Sequence, residues 1–276
     1  MNRTHIIKKL ENRGYYAVEQ NAIKNGVEFE GICISKSENE TVRPVIYTTE
    51  IIRRAEEEGK TIDDVVNTII DIYEKNKNVD LKVNNFFDRN FILDNLFIGL
   101  QKQSNEELVK DDCDLEGIES YLYVRQSKKD SEFYFLKMTK PILERAGIME
   151  NEAWEYAEKN TYAETTITPM ATIMDEIFGI EDVEEKEEIF PMYVITNKCK
   201  ERGASSIFNK KALNEIAKKM NTNKVIALPS SIHEMIIIPY NEEESVESYS
   251  KLVQEVNQNA VEPEIQLTNR AYLLEV

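Results

Sequence analysis

Apolar residues recur along this chain with two periods, about 3.6 and 2, and the changes between them mark the elements. Arg3 to Asn12 reads as a short helix that Gly14 terminates. A hairpin follows: Tyr15 to Ile23, a Lys24-Asn25-Gly26 turn, then Val27 to Ser35. Asn-Gly between two β-forming runs is a strong hairpin signal, because both turn positions need positive φ. The apolar parity reverses within the second strand, from Val27 and Phe29 to Ile32 and Ile34, so a bulge is expected at Gly31. Arg43 to Tyr47 supplies a third strand. Thr61 caps a helix whose inward positions are Ile62, Val65, Val66, Ile69 and Tyr73. A second helix is expected over Asp88 to Gln101, then a polar linker or loop from Gln103 to Asp114 containing a short helix.

The second half alternates strands and helices. Tyr121 to Gln126 and Phe133 to Met138 read as strands around a charged turn at 127–130. Pro141 to Ala146, Glu150 to Lys159 and Pro169 to Phe178 read as helices, followed by an acidic loop over 181–188. The last block is strand (Met192 to Thr196), strand (Ala204 to Phe208), helix (Lys210 to Met220), strand (Lys224 to Leu228), strand (Ile232 to Ile238) and helix (Glu242 to Ala260). The stripe of this last helix is Val246, Tyr249, Val253, Val256 and Ala260. Ala271 to Glu275 forms an edge strand. A C-terminal β-β-α-β-β-α order implies an α+β fold: mostly antiparallel sheets with helices packed on one face. The expected division is an N-terminal portion, 1–110, and a C-terminal portion, 111–276.

Composition narrows the class. The 276 residues are 41% hydrophobic and 31% charged, a globular balance. No apolar run approaches the length of a membrane span, and the first ten residues lack the apolar core of a secretory signal. Cys33, Cys113 and Cys199 are far apart and form no C-x-x-C pair, so a reduced, cytoplasmic protein is expected, with two of the three thiols buried. A net charge of −17 opposes phosphate backbones and anionic lipid surfaces, which argues against nucleic-acid and membrane partners.

Candidate chemistry concentrates in Leu228-Pro-Ser-Ser-Ile-His-Glu234. It places one of the two histidines beside two serines and a glutamate. In an extended strand Ser231 and His233 share one face, Ser230 and Glu234 the other. Ser231 or Ser230 as nucleophile with His233 as base would make a hydrolase. Yet no G-x-S-x-G elbow or oxyanion hole accompanies them, and a turn whose polar side chains bond the backbone is the simpler reading. Asp111, Asp112, Asp114 and Glu116 lack the glycine and closing glutamate of a calcium loop. Arg202-Gly203-Ala204 reads as a hairpin connection, and Trp154 as a core anchor. Phosphate loops, dinucleotide fingerprints and zinc motifs are absent, so no cofactor and no metal is expected.

Several pieces occur together: Lys24-Asn25-Gly26, Pro44 to Tyr47, Met192 to Asn197 with Gly203-Ala204, Leu228 to Pro239, and Glu255-Val-Asn257 with Val261. In this order they resemble an uncharacterised family, a domain of unknown function, from clostridial and related Gram-positive bacteria. Its most specific element is LPSS-x-HE. The stretch from Gln266 to Tyr272 departs from the family's acidic-Leu-Ser ending. The resemblance implies a bacterial cytoplasmic protein and carries over no catalytic residue. The expected function is a non-enzymatic binding or regulatory module with another protein as partner, the hydrolase being the alternative.

Overall fold

Asn2 opens the first helix: its side chain accepts the Thr4 backbone N–H, and α1 (Arg3–Asn12) turns Ile6 and Leu10 inward. Here and below the structure is a computed structural model that describes residues 1–40, 42–77, 82–128, 132–179 and 191–276. Contacts divide the chain into two units, Met1–Leu81 and Lys82–Val276.

In the first unit, β1 (Tyr16–Glu19), β4 (Gly31–Ser35) and β5 (Val45–Tyr47) form an antiparallel sheet in the order β1-β4-β5. Between β1 and β4, β2 (Ala22–Lys24) and β3 (Val27–Phe29) make a short ribbon closed by Asn25 and Gly26, both at positive φ. The bulge expected at Gly31 is not there. Register is the same on both sides of the gap, Glu19 opposite Ile32 and Ala22 opposite Phe29, so no residue is inserted. Between the two ladders the Gln20 backbone N–H donates to the Gly31 carbonyl at 3.0 Å, and Gly31 also pairs with Tyr47 of β5. Gly31 is needed because a Cβ would meet Val45 Cγ1 at 2.7 Å and the Gln20 carbonyl at 2.9 Å.

α2 (Thr49–Glu57), not expected from its sparse apolar pattern, is supported by Arg53 and Arg54 on Glu50 and by Arg53 on Glu57. α3 (Ile62–Asn76) starts with the anticipated Thr61 cap, which Asp64 completes into a capping box. Its stripe of Val65, Val66, Ile69 and Tyr73 closes a core with Ile6, Leu10, Ile32 and Ile34. Each such aliphatic side chain contributes about 1.5–3 kcal/mol on burial.

The second unit begins with a 3-10 turn (Val83–Phe87) and α4 (Arg89–Asp94). The long helix expected over Asp88 to Gln101 ends early, because Asn95 caps α4 and Leu96-Phe-Ile-Gly-Leu100 enters a strand. β6 (Leu96–Lys102) is buried through six consecutive residues, an apolar run that helical and strand periods both accommodate. It pairs with β8 (Ile118–Ser127), whose other edge carries β7 (Lys110–Asp112) and β9 (Phe133–Lys137). The expected linker at 103–114 therefore contributes a sheet strand. A division after 110 would fall within β7, which like β6 is a partner of β8. The turn expected at 127–130 lies partly outside the described residues, and the acidic loop at 181–188 wholly so.

α5 (Lys140–Ala146), α6 (Glu150–Glu164) and α7 (Met170–Phe178) follow, with β10 (Thr165–Pro169) between the last two. Trp154 is half-buried on α6 rather than a core anchor. A five-stranded antiparallel sheet completes the unit: β10, β11 (Tyr193–Asn197), β13 (Glu234–Pro239), β12 (Lys224–Ser231) and β14 (Tyr272–Glu275), in that spatial order. The strand expected at 204–208 is a 3-10 helix (Gly203–Phe208). Its small residues pack closely, and two buried hydroxyls bond strand carbonyls, Ser205 to Ile98 at 2.6 Å and Ser206 to Thr196 at 2.9 Å.

Helices lie on both faces of this sheet, not one. α8 (Lys210–Lys219) packs with Val225, Ala227, Met235 and Ile237, while α9 (Val246–Ala260) packs with Ile226, Leu228, Ile236 and Ile238. Alternate residues of the same strands serve the two cores, as a pleat requires. On α9 the expected Val256 is 45% exposed, and Asn257 turns inward to bond the Thr268 carbonyl.

Candidate functional site

The Leu228–Glu234 segment is the β12–β13 hairpin. Ser231 pairs with Glu234, leaving Ile232 and His233 as the turn, and a register shift between Pro229 and Ser231 places a bulge at Ser230. Each polar side chain is engaged locally. Ser231 Oγ accepts the His233 backbone N–H at 3.1 Å, and Ser230 Oγ donates to Glu234 Oε1 at 3.2 Å. The His233 carbonyl accepts from Thr196 Oγ1 at 2.7 Å. So the serines that share this segment with the imidazole bond its backbone or the neighbouring carboxylate.

The imidazole faces the loop after β11. Its Nδ1 accepts the Arg202 backbone N–H at 3.2 Å and lies 3.2 Å from Glu201 Oε2. Burial pushes the His233 pKa down, and Arg202 adds to this, while Glu201 and Glu234 pull the other way; the net direction is below the ordinary value. A neutral ring with unprotonated Nδ1 fits, since one nitrogen cannot accept from Arg202 and hold a proton for Glu201.

This loop is tightly specified. Lys200 and Arg202 both adopt left-handed backbone (φ 56° and 54°), which costs a residue with a Cβ about 1–2 kcal/mol. Gly203 follows because a Cβ would strike Thr196 Oγ1, the Asn197 backbone nitrogen (2.5 Å) and the His233 carbonyl (2.9 Å). The expected hairpin connection at Arg202-Gly203-Ala204 is thus the entrance to a 3-10 helix, held under the β12–β13 turn.

Arg202 then reaches a different sheet. Its Nη1 donates to Tyr121 Oη at 2.6 Å, and its guanidinium lies 5.1 Å from the centre of the Phe135 ring. Tyr121 belongs to one face of β8 that presents Glu119, Tyr121, Tyr123 and Arg125, while Ile118, Leu122 and Val124 point to the opposite core. Register adds Phe97, Gly99 and Gln101 from β6, and Phe135 and Lys137 from β9. Gly99 makes room for the Tyr121 ring, since a Cβ there would lie 2.6 Å from Tyr121 Cζ.

Charges on this face are paired in sequence-distant combinations. Lys137 binds Glu106 at 2.8 Å, donates to Gln101, and sits 5.2 Å above the Tyr121 ring. Burial pushes the Lys137 pKa down, and Glu106 offsets only part of this. Burial raises the Glu119 carboxyl, but bonds from Gln101, Lys110 and Ser104 outweigh it and hold it below the usual range. Arg125 donates to Glu164 at 2.6 Å and to Cys199 Sγ at 3.0 Å, and covers the Phe97 ring at 4.2 Å. Two buried oxygens here lack a hydrogen-bond partner among the described residues, Tyr123 Oη and Glu164 Oε2.

The remaining sequence candidates disperse. Asp111 and Asp112 are in strand β7, and among the described residues no group of three or more His, Cys, Asp or Glu side chains could hold a metal ion. All three cysteines are free and half-buried, so the expected pair of buried thiols is not found. Among the described residues no helix is long and apolar enough to cross a membrane. Sequence reading passed over Tyr121, Arg125, Lys137 and Arg202 as a group. A signal did exist in β8, where polar and aromatic residues alternate with aliphatic ones.

The comparisons with known proteins bear on family alone. No curated protein and no solved structure matches the chain. Residues 3–275 match the profile of a family of unknown function, DUF5688, so nearly the whole chain, both units included, belongs to that family.

Proposed function

We propose that this protein is a non-enzymatic binding or regulatory module in which Leu228–Glu234 is a structural hairpin. One arrangement carries the reading: Ser231 Oγ is bound to the His233 backbone N–H, and the imidazole Nδ1 to the Arg202 backbone N–H. Hydroxyl and ring are thereby used to shape the turn and seat the strained loop, not to pass a proton between them. The partner is a protein or a small molecule met in the cytoplasm. Support for this comes from the net charge of −17, which opposes nucleic acid and anionic membranes.

A second reading, a hydrolase using Ser231 or Ser230 with His233, has one observation in its favour. Glu201 Oε2 lies 3.2 Å from Nδ1, the carboxylate–imidazole half of a triad. A panel of activated esters and amides assayed with wild type, Ser230→Ala, Ser231→Ala and His233→Gln decides between them. The binding reading expects no turnover that depends on these residues. Hydrolysis lost in a serine variant and in His233→Gln would overturn it.

A further inference from the structure

Three of the four cations on and beside the Tyr121 face are paired with carboxylates. Lys137 is paired with Glu106, Lys110 with Glu119 and Arg125 with Glu164, whereas among the described residues Arg202 takes part in no ion pair with a carboxylate. Its neighbour Glu201 directs Oε2 to His233 instead. The guanidinium has five donors, and its side-chain bond is the one from Nη1 to Tyr121. A half-buried arginine without an anionic partner is uncommon, since desolvating the charge is compensated only by pairing. It is more unusual in a chain of net charge −17, where acceptors are plentiful.

The backbone is arranged to hold it there. Arg202 adopts φ 54°, Gly203 is excluded from bearing a side chain, and the guanidinium is steadied against Phe135 and Tyr121. Backbone strain of this kind clusters at ligand clamps and active sites, and here it falls at a residue whose charge has no carboxylate partner among the described residues. Beside it lies a second unused group. The Tyr123 hydroxyl is buried without a hydrogen-bond partner among the described residues, and Arg125 and Arg202 both act on it electrostatically. Half-exposed Phe133 and Phe135 border the cluster with apolar surface.

Resting on the binding reading above, we propose that Arg202, with Tyr121 and Lys137 beside it, receives the carboxylate of a small organic acid whose apolar part lies against Phe135. Charge selects a carboxylate over a phosphate. A phosphate group would bring about −1.5 to −2 among Glu106, Glu119 and Glu164, whereas a carboxylate brings only −1. Geometry agrees, because a planar guanidinium matches a planar carboxylate through two parallel N–H···O bonds.

The test is calorimetric titration of the full chain with benzoate, its neutral counterpart benzamide, and inorganic phosphate. The proteins are wild type, Arg202→Gln, Arg202→Lys and Tyr121→Phe, each checked for fold by circular dichroism. Benzoate is expected to bind wild type in preference to benzamide and phosphate. Arg202→Gln should weaken benzoate by about tenfold or more, as loss of a charge-assisted pair does. Arg202→Lys keeps the charge but not the fork and should fall between; together with Tyr121→Phe it carries the test if Arg202→Gln does not fold. Benzoate binding unchanged in the Arg202 variants, phosphate binding as tight as benzoate, or no benzoate binding at all would each overturn the assignment. Serine-dependent ester hydrolysis would overturn the binding reading itself. Absent benzoate binding without such hydrolysis overturns only the role of Arg202.

Discussion

Two polar regions of the second unit use the same kinds of side chain in opposite ways. At the β12–β13 turn, Ser230, Ser231, His233 and Glu234 are neighbours in sequence, and they spend their hydrogen bonds on one another and on nearby backbone. On the β8 face, Tyr121, Arg125, Lys137 and Arg202 come from three separate stretches of chain. They meet across a sheet and a loop, leaving, among the described residues, one cation without a carboxylate and one buried hydroxyl without a partner. Side chains adjacent in sequence satisfy each other cheaply, because little chain entropy is lost in bringing them together. Groups brought together over long separations and left unsatisfied cost stability. Such a cost persists where something other than folding requires it.

The comparison can be broken most forcefully at the junction of the two regions. Gly203→Ala would press a methyl group into the backbone of Asn197 and the carbonyl of His233, neither of which is a flexible side-chain end. A loss of about 3 kcal/mol is expected in chemical denaturation. The β12–β13 turn and the Arg202 loop should loosen together in hydrogen exchange. Near wild-type stability would mean that the loop is not seated under the turn as described.

A smaller effect sharpens the contrast. Ser231→Ala removes the acceptor for the His233 backbone N–H and should cost about 1 kcal/mol. Benzoate titration of this variant should match wild type, since the substitution leaves the Arg202 guanidinium and Tyr121 in place. A variant of full stability that no longer binds would reverse the roles assigned to the two regions.

The smallest effect concerns pH. The folded pKa of His233 lies below its ordinary value of 6.5, so on acidification the unfolded chain takes up the proton first. Stability from this group is complete above about 6.5 and is lost as the pH falls from there toward the folded pKa. Unfolding measured across that window should show a decline, flatter in His233→Gln. An equal slope in both proteins would assign the decline to other groups.

Much of the architecture was legible where one period dominated. α1, the Asn25-Gly26 turn, the capped helix after Thr61 and the edge strand at Tyr272 all stand where their patterns put them. The misreadings share a cause. Leu96 to Leu100 and Ala204 to Ile207 are buried throughout, so neither run has an exposed face to reveal its period, and one became a strand while the other became a 3-10 helix. α2 shows the converse: few apolar positions, and stability drawn from charged pairs one turn apart.

What the amino-acid order alone determined is the set of local choices: turn chemistry, caps and strand alternation. These depend on residues within a few positions of one another, so proximity in sequence suffices. Strand register decided the rest. Pairing Gly99 with Tyr121 opens the space for the ring, and the left-handed backbone at Arg202 carries its guanidinium to the Tyr121 hydroxyl. Neither follows from any local pattern, because contact between residues 81 positions apart exists only once the sheet and the loop have formed.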